Sequence, residues 1–246
     1  MKIVVIGDIH GRDIWKKIVE KEFDADKYIF LGDYVSTHDK ITSETQINNL
    51  VDLLNWADEV NFNERNKVIL LRGNHDLQHL GYYWAECSGL FPKVRDWMSL
   101  QKEWFLDRTQ WVYVYNNIVF SHAGLTTRWM NNNKLINPED VNSLPVDEHF
   151  AFTPCKMSDY CGDSETQPPV WVRPWTLIET ALPNYTYVVG HTTYDNVVNL
   201  KDLVKTASVR DFDRTTLPDI WLCDTLKNKQ YLIIKDGEFI PTKLTE

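Results

Sequence analysis

The sequence predicts an α/β fold in which two mixed sheets stack face to face between helices, a four-layer α-β-β-α sandwich. Three observations predict it. Five short apolar runs, Ile3-Val4-Val5-Ile6, Tyr28-Ile29-Phe30-Leu31, Val68-Ile69-Leu70-Leu71, Ile118-Val119-Phe120 and Tyr187-Val188-Val189, each break off at a glycine or polar residue, as buried strands do where they enter loops. Segments between the first runs carry apolar residues at helical spacing, which suits parallel strands joined by crossovers. The second half holds alternating runs separated by turn residues, the mark of hairpins.

The elements follow in order. Residues 13–22 form a short helix with Ile14, Ile18 and Trp15 turned inward. Residues 43–60 form a longer one, because Ile47, Leu50, Val51, Leu54 and Ala57 share a face and Thr42 or Ser43 can cap its start. A third helix is expected over 94–106, and Asn137-Pro138 reads as an N-cap followed by proline in the first helical position. Trp111 to Phe120 is a hairpin turning at Asn116-Asn117. A second is expected from Ile220-Trp221-Leu222-Cys223 to Gln230-Tyr231-Leu232-Ile233-Ile234, with Asp236-Gly237 as the next turn. The chain reads as one domain over 1–246, with a proline-rich loop or cap insertion at about 145–172.

The polar groups at the strand ends carry the chemistry. They are Gly7-Asp8-Ile9-His10-Gly11, Gly32-Asp33-Tyr34-Val35, Gly73-Asn74-His75-Asp76, Ser121-His122-Ala123-Gly124 and Gly190-His191-Thr192. Ligands of open α/β sheets sit beyond the carboxyl ends of the strands, so these motifs converge on one edge. Carboxylate, imidazole and amide oxygen suit manganese, iron or zinc, and no cysteine lies among them. A single Gly-Asp after a strand is most simply a turn. Five such motifs in series point to a two-metal site, where paired ions clamp a phosphoryl group and acidify water.

These motifs resemble the calcineurin-like metallophosphoesterases, and within them the phosphoprotein phosphatase branch with its small bacterial and phage members. The resemblance runs from Met1 to about Thr192, with a fainter echo at Asp224-Thr225. It implies the metallophosphoesterase type of sandwich and two divalent ions, manganese foremost, with iron or zinc as alternatives. By resemblance Asp8 and His10 hold the first ion, Asp33 bridges, and Asn74, His122 and His191 hold the second. His75 is then the general acid, with Asp76 supporting the catalytic group from behind.

The second motif departs from the family pattern. Ser36 and Thr37 stand where the family has Asp and Arg, so His75 lacks its usual carboxylate partner and the phosphate its usual guanidinium. Asp39 or Asp76 is the candidate replacement for the carboxylate. Arg173, Arg72 and Arg12 are the candidate phosphate ligands, Arg173 first because Trp171 and Pro174 flank it closely. Tyr82-Tyr83-Trp84 is packing surface or a stacking platform, and His38, His79 and His149 are structural.

Composition bounds the rest. A net charge of −9 argues against nonspecific binding of duplex nucleic acid. No apolar stretch reaches membrane-spanning length, and no signal peptide is evident. The four cysteines, Cys87, Cys155, Cys161 and Cys223, show no metal spacing, so reduced thiols in a cytoplasm are expected. The expected activity is phosphomonoester hydrolysis, on a small molecule or a phosphoprotein. Nucleotide, dinucleoside polyphosphate or phosphodiester hydrolysis is the alternative, and a non-catalytic metal-binding module is the rival from another class.

Overall fold

A computed structural model describes residues 1–153, 164–206 and 217–245. Its strands are β1 (Lys2–Ile6), β2 (Lys27–Phe30), β3 (Val68–Leu70), β4 (Val112–Tyr115), β5 (Ile118–Ser121), β6 (Thr186–Thr193), β7 (Val198–Asn199), β8 (Ile220–Asp224), β9 (Gln230–Lys235) and β10 (Glu238–Lys243). The helices are α1 (Ile14–Lys21), α2 (Ser43–Asn63), α3 (Asn74–His79), α4 (Pro92–Leu100), α5 (Lys102–Leu106), α6 (Thr127–Asn132), α7 (Pro174–Thr180) and α8 (Leu200–Thr206). Two five-stranded sheets run in the orders β10-β9-β1-β2-β3 and β4-β5-β6-β8-β7. β1, β2 and β3 are parallel, as are β5, β6 and β8. Antiparallel strands close the remaining edges, so both sheets are mixed.

Period-two alternation sorts the side chains into two cores. Ile3 and Val5 of β1, Ile29 and Leu31, Ile69 and Leu71 meet Ile118, Phe120 and Val188 between the sheets. Val4, Ile6, Tyr28, Phe30, Val119 and Tyr187 point the other way, under the helices. Both faces of each central strand are therefore covered, which is why the runs read as continuous rather than alternating hydrophobics. Helix α2 begins where expected, with the Thr42 hydroxyl accepting from Thr45 N at 3.1 Å.

Three expectations are revised. The helix expected over 94–106 is two helices, α4 and α5, parted at Gln101 (φ −105°, ψ 17°). The break re-aims the last turn, setting Phe105 edge-on against Tyr34 with ring centroids 5.8 Å apart. The helix beginning at Asn137-Pro138 is a 3₁₀ segment, closed by the Asp140 carboxylate accepting from Asn137 N. The hairpin expected from Ile220 to Ile234 does not form. Instead β8 joins the second sheet beside β6, and β9 joins the first beside β1. Each strand gains a parallel or antiparallel neighbour in a buried sheet, while Lys229, in left-handed conformation (φ 60°), turns the chain across. The terminal hairpin is β9–β10, turning at Asp236 and Gly237.

The insertion at about 145–172 is described at its two ends. Residues 167–172 run into the interior: Gln167, Val170, Trp171 and Val172 are buried, while Glu165 just before them is exposed. Gln167 bonds Thr153 across the insertion, and Ala123 N donates to Pro169 O at 2.7 Å. Residues 154–163, with Cys155 and Cys161, lie outside the described residues.

Candidate active site

All five polar motifs gather at the carboxyl ends of β1, β2, β3, β5 and β6, the last of them within β6, where its register with β8 shifts between Val189 and Thr193. Asp8, Asp33, Asn74 and His122 are buried, and His10 and His191 partly so. His10, Asp33 and His191 all have positive φ, at 46°, 50° and 62°. Such backbone costs free energy for a residue with a side chain and persists where surrounding contacts hold it, often at functional sites. Here the holding contacts are backbone bonds between motifs, His10 N to Asp33 O at 2.7 Å and Gly11 N to Tyr34 O at 2.8 Å. Glycine is required at two positions. A Cβ on Gly73 would lie 2.1 Å from Asp33 Oδ1, and one on Gly190 would lie 2.0 Å from Asp8 Oδ1.

Asp33 is the hub. Its Oδ2 stands 3.4 Å from His122 Nε2 and 4.0 Å from His10 Nε2, while its Oδ1 accepts from His75 N at 2.9 Å. Asp8 Oδ2 is 3.9 Å from His10 Nε2, and Asn74 Oδ1 is 3.1 Å from His122 Nε2. Each imidazole has one nitrogen engaged by a backbone carbonyl: His10 Nδ1 with Val35 O (3.1 Å), His122 Nδ1 with Leu31 O (2.8 Å) and His191 Nε2 with Trp171 O (3.2 Å). A ring that donates through one nitrogen presents a lone pair at the other, the usual orientation of metal-bound histidine. The donor set fits divalent cations, with ligand atoms of Asp8, His10 and Asp33 lying within 4.8 Å of one another.

Burial sets the acids and imidazoles of the site against one another. Burial and the nearby Asp224 carboxylate push the Asp8 carboxyl well above its ordinary value. Burial works in the same direction on Asp33, but the charges of His122 and His75 outweigh it and hold Asp33 low. Burial lowers the His122 imidazole, yet Asp33 and Asp8 raise it to about 10. Acids packed this closely out of water call for positive charge among them. Asp224, at the end of β8, was visible in the sequence only as a faint echo. The signal was there, because it too follows an apolar run. It is buried and accepts from the Thr193 hydroxyl at 2.6 Å, two residues past His191.

The remaining candidates separate. Asp76 accepts from Asp33 N, Tyr34 N and Gly73 N, all at 2.9 Å, so it pins the second motif to the third. Arg72 is buried. Its guanidinium donates to Thr109 and to Leu106 O at the end of α5 and lies over the Trp111 ring. Arg12 is paired with Asp39 at 2.8 Å. Arg173 Nη1 donates to His191 O (3.2 Å) and Thr192 Oγ1 (3.0 Å), which sets its guanidinium against a candidate ligand.

Neither Asp39 nor Asp76 takes the place of the missing carboxylate, since one faces Arg12 and the other backbone amides. Ser36 donates its hydroxyl to Gly89 O at 2.8 Å and not to His75. The ring of His75 is instead 3.5 Å from the Cys87 thiol, counted Nδ1 to Sγ. Burial lowers this imidazole to about 4 against the pull of Asp33. Nothing in sequence spacing signalled Cys87. Tyr82 and Trp84 pack on each other, with Lys102 over the Tyr82 ring, which is a structural arrangement. His79 is buried and bonded to backbone at both ring nitrogens.

The calcineurin-like phosphoesterase family model matches residues 1–192. Among solved structures, a metallophosphoesterase from Sphaerobacter thermophilus is 13% identical, with a TM-score of 0.50, over 100% of this chain and 89% of its own. A protein serine/threonine phosphatase from Saccharomyces cerevisiae is 15% identical, with a TM-score of 0.54, over 100% of this chain and 81% of its own. At such identities these likenesses show the sandwich fold. No curated protein was found that matches the chain.

Proposed function

The chain belongs to the calcineurin-like phosphoesterases and is a metal-dependent phosphoesterase; on that premise we propose that it hydrolyses phosphomonoesters at a centre of two divalent ions, manganese foremost. The observation that carries the two-ion reading is the place of Asp33 Oδ2 between His122 Nε2 and His10 Nε2, each ring fixed from behind by a carbonyl. Asp8 and His10 would hold one ion, Asn74, His122 and His191 the other, with Asp33 between. When bound, such a pair polarises the phosphoryl oxygens and acidifies water.

The chain's own residues supply the rest. Arg173, held against His191, is the first choice to grip a phosphate oxygen, because a guanidinium offers paired parallel donors. Arg12 is second, with Asp39 competing for it. Arg72 is withdrawn from this role, since the end of α5 takes up its donors. His75, next to a ligand and partly buried, would protonate the leaving oxygen. Asp76 is a positioning residue that keeps Asp33 and Asn74 in register.

Purified protein with added manganese should turn over a chromogenic aryl phosphate faster than the matched diester or a dinucleoside polyphosphate. A preference for the diester or the polyphosphate would replace the monoesterase reading with the alternative. No helix among the described residues is long and apolar enough to cross a membrane, which suits a water-borne phosphorylated substrate.

A further inference from the structure

Helix α3 carries Asn74 and His75 in its first turn and then spends its next polar side chains on a single neighbouring loop. Gln78 Oε1 accepts from Cys87 N at 2.7 Å, and Gln78 Nε2 donates to Ser88 O at 3.3 Å. His79 bridges, with Nδ1 2.7 Å from His75 O and Nε2 accepting from Phe91 N at 3.1 Å. From the opposite side Ser36 fastens Gly89 O. Gln78 and His79 are 5% and 0% exposed, so these bonds are made in a dry environment, where a missing partner is expensive. The result is that loop 86–91 is clamped from α3 and from the second motif together. The side chain this clamp presents to His75 is Cys87.

We propose that Cys87 is a positioning residue for His75, its sulfur held against Nδ1 so that Nε2 is the ring nitrogen left to face the leaving group. The inference rests on the role given to His75 above. A thiol is both a weak donor and a weak acceptor. A ring that acts as an acid carries protons on both nitrogens, so the sulfur accepts from Nδ1–H while Nε2–H is the proton passed to the leaving oxygen, which leaves a neutral ring still held at Nδ1. Cys87 thus orients the ring in the position where the related family uses a carboxylate, but without adding a charge to a site already crowded with acids. Half-buried and set against an imidazole, it differs from reactive cysteines, which are exposed thiolates.

The test compares wild type, Cys87→Ala and Cys87→Ser on alkyl and aryl phosphates with manganese. A weak hydrogen bond is worth about 1 kcal/mol, so Cys87→Ala should lower kcat on alkyl phosphates about 3- to 10-fold with KM unchanged. The loss should be smaller on aryl phosphates, which need little proton help, and Cys87→Ser should recover part of it. Equal losses on both substrates, or a change confined to KM, would overturn the proposal by making Cys87 a packing residue. A second readout needs no turnover. In long-range ¹⁵N–¹H spectra of the zinc-loaded protein, the neutral His75 ring should hold one tautomer in wild type, with its proton on Nδ1 toward sulfur, and shift toward a tautomer mixture in Cys87→Ala. An unchanged spectrum would overturn the proposal. A changed spectrum with unaltered leaving-group dependence would instead remove His75 from the acid role while leaving Cys87 as its partner.

Discussion

The ligand edge of the site and the wall that carries His75 and the arginines are built in different ways. At the candidate ligand edge every side chain sits within four residues of a strand end, and the orienting partner of each imidazole is backbone: Val35 O for His10, Leu31 O for His122, Trp171 O for His191. At the wall each group also leans on a side chain from another element: Cys87 for His75, Asp39 for Arg12, Thr192 for Arg173. Backbone partners come with the fold and do not depend on which residue supplies them. Side-chain partners can be exchanged one at a time. The two departures from the family pattern, Ser36 and Thr37, fall at the wall, and the ligand edge carries none.

The contrast can be broken most severely at its hub. Asp33→Asn should lower occupancy at both metal positions and cut turnover by at least about 10³-fold, since both ions lose an anionic ligand. Asn74→Ala should empty mainly the second position. Elemental analysis of the purified variants reads both effects, and a wild-type protein that saturates with one manganese ion would remove the bridge.

The next effect belongs to the wall. His75→Asn should keep its metal content and lose about 10²–10⁴-fold in turnover, more on alkyl than on aryl phosphates. Metal loss in that variant would erase the distinction between edge and wall, because His75 would then be holding the ligand edge in place.

The smallest effect sharpens the comparison within the wall. Arg173→Ala should raise KM about 10-fold with kcat less affected, as loss of a charge-assisted contact to phosphate does. Arg72→Ala should leave KM alone and lower thermal stability, because it deprives the α5 end and Trp111 of a buried partner. Reversal of the two outcomes, read by steady-state kinetics and thermal melts, would return Arg72 to the site and send Arg173 to the scaffold.

Much of the molecule is written in short segments. The five strands that deliver the motifs, the long helix from Ser43, the first hairpin and the candidate ligands are all legible, because period, caps and glycine-bounded strand ends are local properties of the chain. The order of the strands was not. β8 and β9 are adjacent in sequence and look like a hairpin, yet they lie in different sheets, β8 between β6 and β7 and β9 between β10 and β1. The break at Gln101, the burial of residues 167–172, the diversion of Arg72 to α5 and the meeting of Cys87 with His75 were equally out of reach of the sequence. Each depends on which surfaces come together across the chain, and the same guanidinium or thiol reads identically in sequence whether it faces a phosphate, a helix end or a histidine. The sequence by itself determined what chemistry the strand ends could deliver; packing decided which side chains were left to help it.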